Sequence, residues 1–295
     1  MKVHGKDVHV AGRLVRIGHL DGDKYESLKD PAAAIAALRE SPSRIDLLTF
    51  MQVLPRSKPD YPYPMEWDNL AALPVSTFDH WYTSVIGFKV RNKVKKAAKN
   101  GVTVREVPFD DAFVRGVSTI YNECPVRQGR LFWNYGKDLG TVRREAGTFP
   151  ERSVFIGAFF ENQMIGFAKL VSDQDAGQAG LMHIVSMIRH RDKAPTNALI
   201  AQAVRSCADR RIPYLVYSNF SYGKKKNDSL SDFKEANGFE RKEVPRYFVP
   251  LTPVGRAALA LGLHHGIAEH LPESMLAHLR RLRESWYSWR FQLAQ

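Results

Sequence analysis

Leu181-Met182-His183-Ile184-Val185-Ser186-Met187-Ile188-Arg189-His190-Arg191-Asp192-Lys193-Ala194-Pro195-Thr196-Asn197-Ala198-Leu199-Ile200 decides how the chain is read. The run up to Ile188 is apolar and strand-like. A loop with Arg189, Arg191 and Lys193 follows. Pro195 then opens a helix, a position where its fixed φ and missing N–H cost nothing. Leu199, Ile200, Ala203, Val204 and Cys207 recur at helical spacing and give that helix one apolar face to about Arg211. A basic loop at a helix N-terminus can hold an anion, because free N–H groups and the helix dipole both favour negative charge there.

Downstream, Tyr214 to Tyr217 reads as a strand and Ser229 to Ala236 as a short helix stopped by Asn237-Gly238. Phe248 to Leu251 reads as a closing strand, and Thr252 to Gln295 as two helices split at Pro272. Upstream, Ser153 to Ala158 and Gln163 to Leu170 form a hairpin pattern turned at Glu161-Asn162. Asp110-Asp111 starts a helix to about Asn122, and Val102 to Val107 is a strand. Before it, Ser76 or Thr77 caps a long helical pattern that Asn100-Gly101 ends. Its two apolar stripes, Phe78 to Val85 and Val90 to Ala98, do not align at about 100° per residue, which predicts a kink near Gly87. The first 75 residues hold strand patterns at Val8 to Leu20 and Ile45 to Met51, a helix from Asp30-Pro31, and a proline-rich loop from Pro55 to Pro64. This order predicts a mixed α/β (α+β) layer fold. Three segments are expected: an N-terminal α/β extension (1–75), a main domain (76–251) and C-terminal helices (252–295).

The chain has 295 residues, 44% of them hydrophobic, which supports a sizeable core. A net charge of +12 favours an anionic partner such as nucleic acid, a phosphorylated carrier or an acidic membrane surface. Cys124 and Cys207 alone give no disulfide framework, and no apolar h-region or span of about 20 apolar residues occurs. A cytoplasmic protein is expected. His264-His265 and His270 have no sequence neighbour at metal-ligand spacing, so no metal is expected.

From Thr77 to Leu251 the element order resembles the GNAT acyltransferase superfamily. The residues carrying the likeness are the hairpin Val154 to Phe167, the strand ending at Ile188 with its basic loop, the strand ending near Tyr217-Ser218-Asn219, and Phe233-Lys234-Glu235-Ala236-Asn237-Gly238-Phe239. Arg91 to Val102 is similar to a helix end of FemABX-like transferases, relatives that can take aminoacyl groups from tRNA. The resemblance implies a mixed, mostly antiparallel sheet flanked by helices. It also implies an N-acyltransferase using acyl-CoA, such as acetyl-CoA, on a small-molecule or peptide amine. The alternatives are a FemABX-like aminoacyl transferase and a non-catalytic binding protein. One departure stands out: Asp192 occupies a position where the superfamily's phosphate loop has glycine.

The resemblance places the donor at Ile188, Arg189, Arg191, Lys193, Thr196 and Asn197, with Asn219 orienting it. His183 is a candidate general base, because imidazole titrates near neutrality. Tyr217 or Tyr222 takes the place where the superfamily often carries a tyrosine acid, and Glu123 is a further base candidate. The polar-aromatic stretch 120–136 is a candidate acceptor surface, with Tyr121, Asn122, Arg127, Gln128, Arg130, Trp133 and Tyr135 as its contacts. Lys89, Arg91, Lys93, Lys95, Lys96 and Lys99 run without an acid, as either a solvated face or a contact for tRNA or another polyanion. The C-terminal helix packs on the body or a partner subunit, or lies on an anionic membrane.

Overall fold

A computed structural model describes residues 2–3, 6–22, 24, 26–41, 44–127, 129–173, 177–221, 229–265 and 273–290. Strands β1 (Lys2–Val3), β2 (Lys6–Ala11) and β3 (Ile17–Leu20) precede helix α1 (Pro31–Glu40). The Asp30 side chain caps α1 by accepting from the Ala33 amide. Strands β4 (Leu47–Met51) and β5 (Met65–Pro74) follow. Helix α2 (Phe78–His80) runs into a π-helical turn, Trp81–Val85, and the chain breaks at Ile86-Gly87 before α3 (Phe88–Lys99). The expected kink is therefore present. Arg91 covers it from the next helix, donating to the carbonyls of Thr83 at 3.0 Å and Ile86 at 2.6 Å.

The chain continues through β6 (Thr103–Val107), α4 (Asp111–Tyr121), a ribbon of β7 (Val126–Arg127) and β8 (Arg130–Leu131), and α5 (Leu139–Ala146). Strands β9 (Ser153–Phe160) and β10 (Gln163–Ser172) form the expected hairpin. Glu161 and Asn162 adopt φ of 49° and 63°, the left-handed pair of a two-residue turn. Then come β11 (Ala179–Ser186), a 3-10 turn at Ile188–Lys193, α6 (Pro195–Asp209), β12 (Tyr214–Val216), α7 (Ser229–Ala236), β13 (Glu240–Pro250), α8 (Pro253–Ala260) and α9 (Glu273–Arg290).

Eleven strands make one sheet in the order β1-β2-β3-β4-β13-β5-β12-β11-β10-β9-β6. It is mixed and mostly antiparallel, with parallel pairs only at β3–β4 and β11–β12 among the described residues. The sheet runs straight through the boundary expected at residue 75. β13 spans both sides of it, pairing with β5 over Glu240–Tyr247 and with β4 over Arg246–Pro250. The larger core lies where α4 and α6 pack on β9 to β11 and α3 packs on α6, around Phe167, Leu199, Ile200 and Val204. A second core, around Ile35, Leu48, Phe50 and Tyr247, joins the N-terminal strands to β13.

Candidate functional site

β11 and β12 pair in parallel at only two positions, Ala179↔Leu215 and Gly180↔Val216. The strands then part, and a cavity of about 900 Å³ opens between residues 184–188 of the β11 end and Tyr217 beyond β12. The pattern follows from the neighbours of each strand. β10 holds β11 as far as Ser186, whereas the chain after β12 is held to β5, with the Tyr217 amide donating to Ala71 at 2.7 Å. Beyond Gly180 the edge of β11 is unpaired with β12, and an unpaired strand edge is a place where backbone groups can meet a carbonyl.

The start of α6 forms another wall. Its N-cap is Ala194, at φ 54° and ψ 42°, with no side-chain cap. Pro195, Thr196 and Asn197 all line the cavity. The Thr196 and Ser186 hydroxyls lie 2.8 Å apart and tie the helix start to the strand end. The left-handed residue of this junction is Ala194, the position that closes the loop before Pro195. Asp192 is paired with Lys193 at 3.3 Å, which holds its carboxyl below the ordinary carboxylate range.

Positive charge collects at this cavity. Lys93 and Lys96 reach it from α3, Arg127 and Arg130 from the ribbon, and Arg191 from the 3-10 turn, against Asp192 as the one acid among the described lining residues. Phe132 and Trp133 add aromatic surface. Arg127 lies over the Phe132 ring at 4.7 Å, and the Lys137 ammonium over the Trp133 ring at 3.6 Å.

Of the expected site residues, the structure brings Arg127, Arg130, Trp133, Ile188, Arg191, Thr196, Asn197 and Tyr217 together on this wall. Several others lie elsewhere. Glu123, expected as a base, accepts from the Ile188 and Arg189 amides at 2.7 and 2.9 Å and from Arg127 at 3.1 Å. It is a clamp on the junction, with both oxygens engaged. His183 stands cross-strand from Lys169. Burial first, and the Lys169 cation second, push its imidazole down to about 4, which makes it a weak base at neutral pH. His183 is also absent from the cavity wall, so the base role moves away from it.

Asn219 is committed to Asp68, donating at 2.7 Å, and to Lys24, and does not reach the cavity. Arg189 is exposed, and Lys193 lies over the Phe160 ring at 4.8 Å. Tyr121 is core, edge-on to Phe132 and Phe167, and burial drives its phenol pKa up. Asn122 braces the loop by accepting from the Gly136 amide at 2.9 Å, and Tyr135 is exposed. Tyr222 and Gln128 lie outside the described residues.

Phe132, Leu230 and Phe233 complete the apolar part of the wall. Phe233 belongs to a motif already visible in the sequence. Lys234, beside it, is fully buried and lies 4.8 Å over the Tyr217 ring.

No family model and no curated protein matches the chain. Solved structures do. The C-terminal (DUF2156) domain assigned to a lysylphosphatidylglycerol synthetase from Agrobacterium fabrum has a TM-score of 0.54 at 12% identity, covering 88% of this chain and 86% of that one. L-PGS from Bacillus licheniformis has a TM-score of 0.54 at 11% identity, covering 86% of this chain and 82% of that one. A tandem GNAT protein from the clavulanic acid biosynthesis pathway has a TM-score of 0.48 at 12% identity, covering 84% and 79%. At these identities the likeness is one of fold. That shared fold is a mixed, mostly antiparallel sheet flanked by helices, as the sequence predicts.

Proposed function

We propose that the chain is an acyl-group transferase whose donor rides on a polyanionic carrier, an aminoacyl-tRNA in preference to acyl-CoA. The observation that carries this reading is the five-cation cavity at the parted edge of β11. Glu123 favours tRNA over CoA. Its carboxylate already occupies the junction amides of Ile188 and Arg189, which a pyrophosphate would have to share with a like charge. The fold neighbours named for lysylphosphatidylglycerol synthesis are compatible with an aminoacyl group as cargo.

In this reading the ester carbonyl of the donor lies against the β11 edge and its developing oxyanion meets backbone amides. The acceptor amine attacks the carbonyl carbon, and the carbon–oxygen bond to the ribose breaks. Tyr217, on the cavity wall with the Lys234 cation over its ring, gives its phenolic proton to the leaving alkoxide and recovers one from the attacking amine. Phe132 and Trp133 supply stacking surface for a terminal base. The acceptor is a small-molecule or peptide amine. Met275, Leu282 and Trp286, exposed on α9, offer contact with a membrane surface beside it.

Acyl-CoA remains the second reading, favoured by the uncapped α6 start next to Arg191. Calorimetry and filter binding separate the two. Charged tRNA is expected to bind, to weaken steeply between about 50 and 200 mM salt, and to be lost in a Lys93→Glu/Lys96→Glu chain. Acetyl-CoA is expected to give no heat at millimolar ligand. Heat from acetyl-CoA with no tRNA retained on the filter overturns the proposal, and tRNA binding without any transfer to an amine leaves a binding protein.

A further inference from the structure

We propose that Glu66, His264 and His265 form a site for a divalent transition-metal ion, zinc first among them. None of the three lines the cavity described above. Glu66 is the second residue of β5, opposite Arg246 of β13. The two histidines follow α8 beyond Gly262, whose φ of 69° turns the chain back toward the sheet. His264 is fixed in place: its side chain is 3% exposed, and its ring packs edge-on against Phe248 of β13 with centroids 4.6 Å apart.

The three ligand atoms converge. His264 Nε2 lies 2.9 Å and His265 Nε2 3.2 Å from the same oxygen, Glu66 Oε1, and all three atoms fall within 4.8 Å of one another. Zinc bonds of about 2.0–2.2 Å at tetrahedral angles put neighbouring ligand atoms roughly 3.3–3.5 Å apart. His265 and Glu66 stand close to that spacing, and His264 needs a shift of a few tenths of an ångström, within reach of side-chain torsions alone. Without metal, His264 Nε2 donates to the Glu66 carboxylate and Nδ1 is buried with no partner among the described residues, so a metal on Nε2 would displace that proton to Nδ1. Two imidazole nitrogens with one carboxylate oxygen select zinc and its first-row neighbours over magnesium or calcium, which prefer all-oxygen sets. Side-chain exposures of 44% at Glu66 and 31% at His265 leave an open side for water as a further ligand. A bound ion would pin the turn after α8 to the start of β5. The His264-His265 pair was visible in the sequence, but its third ligand lies 198 residues upstream.

The test uses the full chain without a histidine tag, stripped with a chelator and titrated with zinc against a chromophoric competitor. One zinc per chain is expected, together with a rise in Tm. Glu66→Gln, which keeps an acceptor for the histidines, and His265→Ala are each expected to weaken binding by about tenfold or more. His9→Ala, on an exposed position of β2, is expected to change nothing. Cobalt in place of zinc should show visible d–d bands that both site variants abolish. A wild-type chain that takes up no zinc, or site variants that bind it as tightly as the wild type, overturns the assignment.

Discussion

Glu123 is a clamp on the junction between β11 and α6. It meets two backbone amides and a half-buried guanidinium, and Arg127 in turn donates to the Ser186 carbonyl at 2.8 Å. Removing it strands those donors, so Glu123→Ala is expected to cost about 2–3 kcal/mol in urea unfolding, with Glu123→Gln milder. A loss under about 0.5 kcal/mol would mean that water replaces the carboxylate at no cost. Glu123→Ala vacates the junction amides and Glu123→Gln removes the negative charge there, so a gain of acetyl-CoA binding in either would identify this residue as what excludes that donor. Lys169 and His183 each contribute to the pH response. An unfolded histidine takes its proton near 6.5, and folded His183 only near 4. Across that window the unfolded state binds more protons, so stability falls as pH drops, by up to about 3 kcal/mol. His183→Gln should flatten this acid limb. Lys169, whose ammonium donates to Thr148 Oγ1 at 2.8 Å, is pushed down by burial to about 8 from 10.5. Between those values the unfolded chain again holds the extra proton, so stability should rise from pH 8 toward 10.5, an increase that Lys169→Met removes.

At the scale of elements, the signals that are local in space were local in sequence. Asp30 and Asp110 cap the helices they were expected to start, Thr77 rather than Ser76 caps the next, and Glu161-Asn162 turns its hairpin. β5 was missed because its second half, Leu70 to Leu73, is buried on both faces and reads as an unalternating run after Pro64. The first half of β13 was missed because Glu240 to Glu243 are charged and Pro245 follows. The structure shows why a proline is tolerated: pairing with β4 begins only at Arg246, so no ladder bond is lost on that side. Helix α5 is short, with Gly140 in its first turn. The site was half legible for a related reason. Pattern reading places His183 and Ile184 on one strand but does not say which of the strand's faces meets the cavity. Nor does the sequence show that Ala194 takes a left-handed conformation. Ala194 is left-handed, so Ala194→Gly should relieve the Cβ penalty and raise stability by about 0.5–1 kcal/mol, read as a higher Tm. An unchanged or lower Tm would show that this φ costs the alanine nothing.

For the whole molecule, the parted strands depend on residues outside the segment that carries the superfamily resemblance. β12 has only three residues, and β5 is what holds it, through Tyr214↔Pro74, Leu215↔Leu73 and Val216↔Ala72. β5 therefore fixes one lip of the cavity, and β13, paired with β5 and β4 alike, ties that lip to the N-terminal core. A chain beginning at Ser76 would lose Leu70, Ala71, Ala72 and Leu73, all fully buried, and would bare the edges of both β12 and β13. Such a chain is expected to show no cooperative thermal transition and to bind an apolar dye strongly, because unpaired edges and an opened core expose apolar surface. A chain beginning at Tyr61 keeps β5 and the cavity wall but leaves Tyr247 without Phe50, its stacked neighbour at 5.1 Å. It should retain a transition at lower Tm. A Ser76 chain that melts cooperatively at the full-length Tm would mean that residues 1–75 are a separable extension and that β12 is held in place by β11 alone.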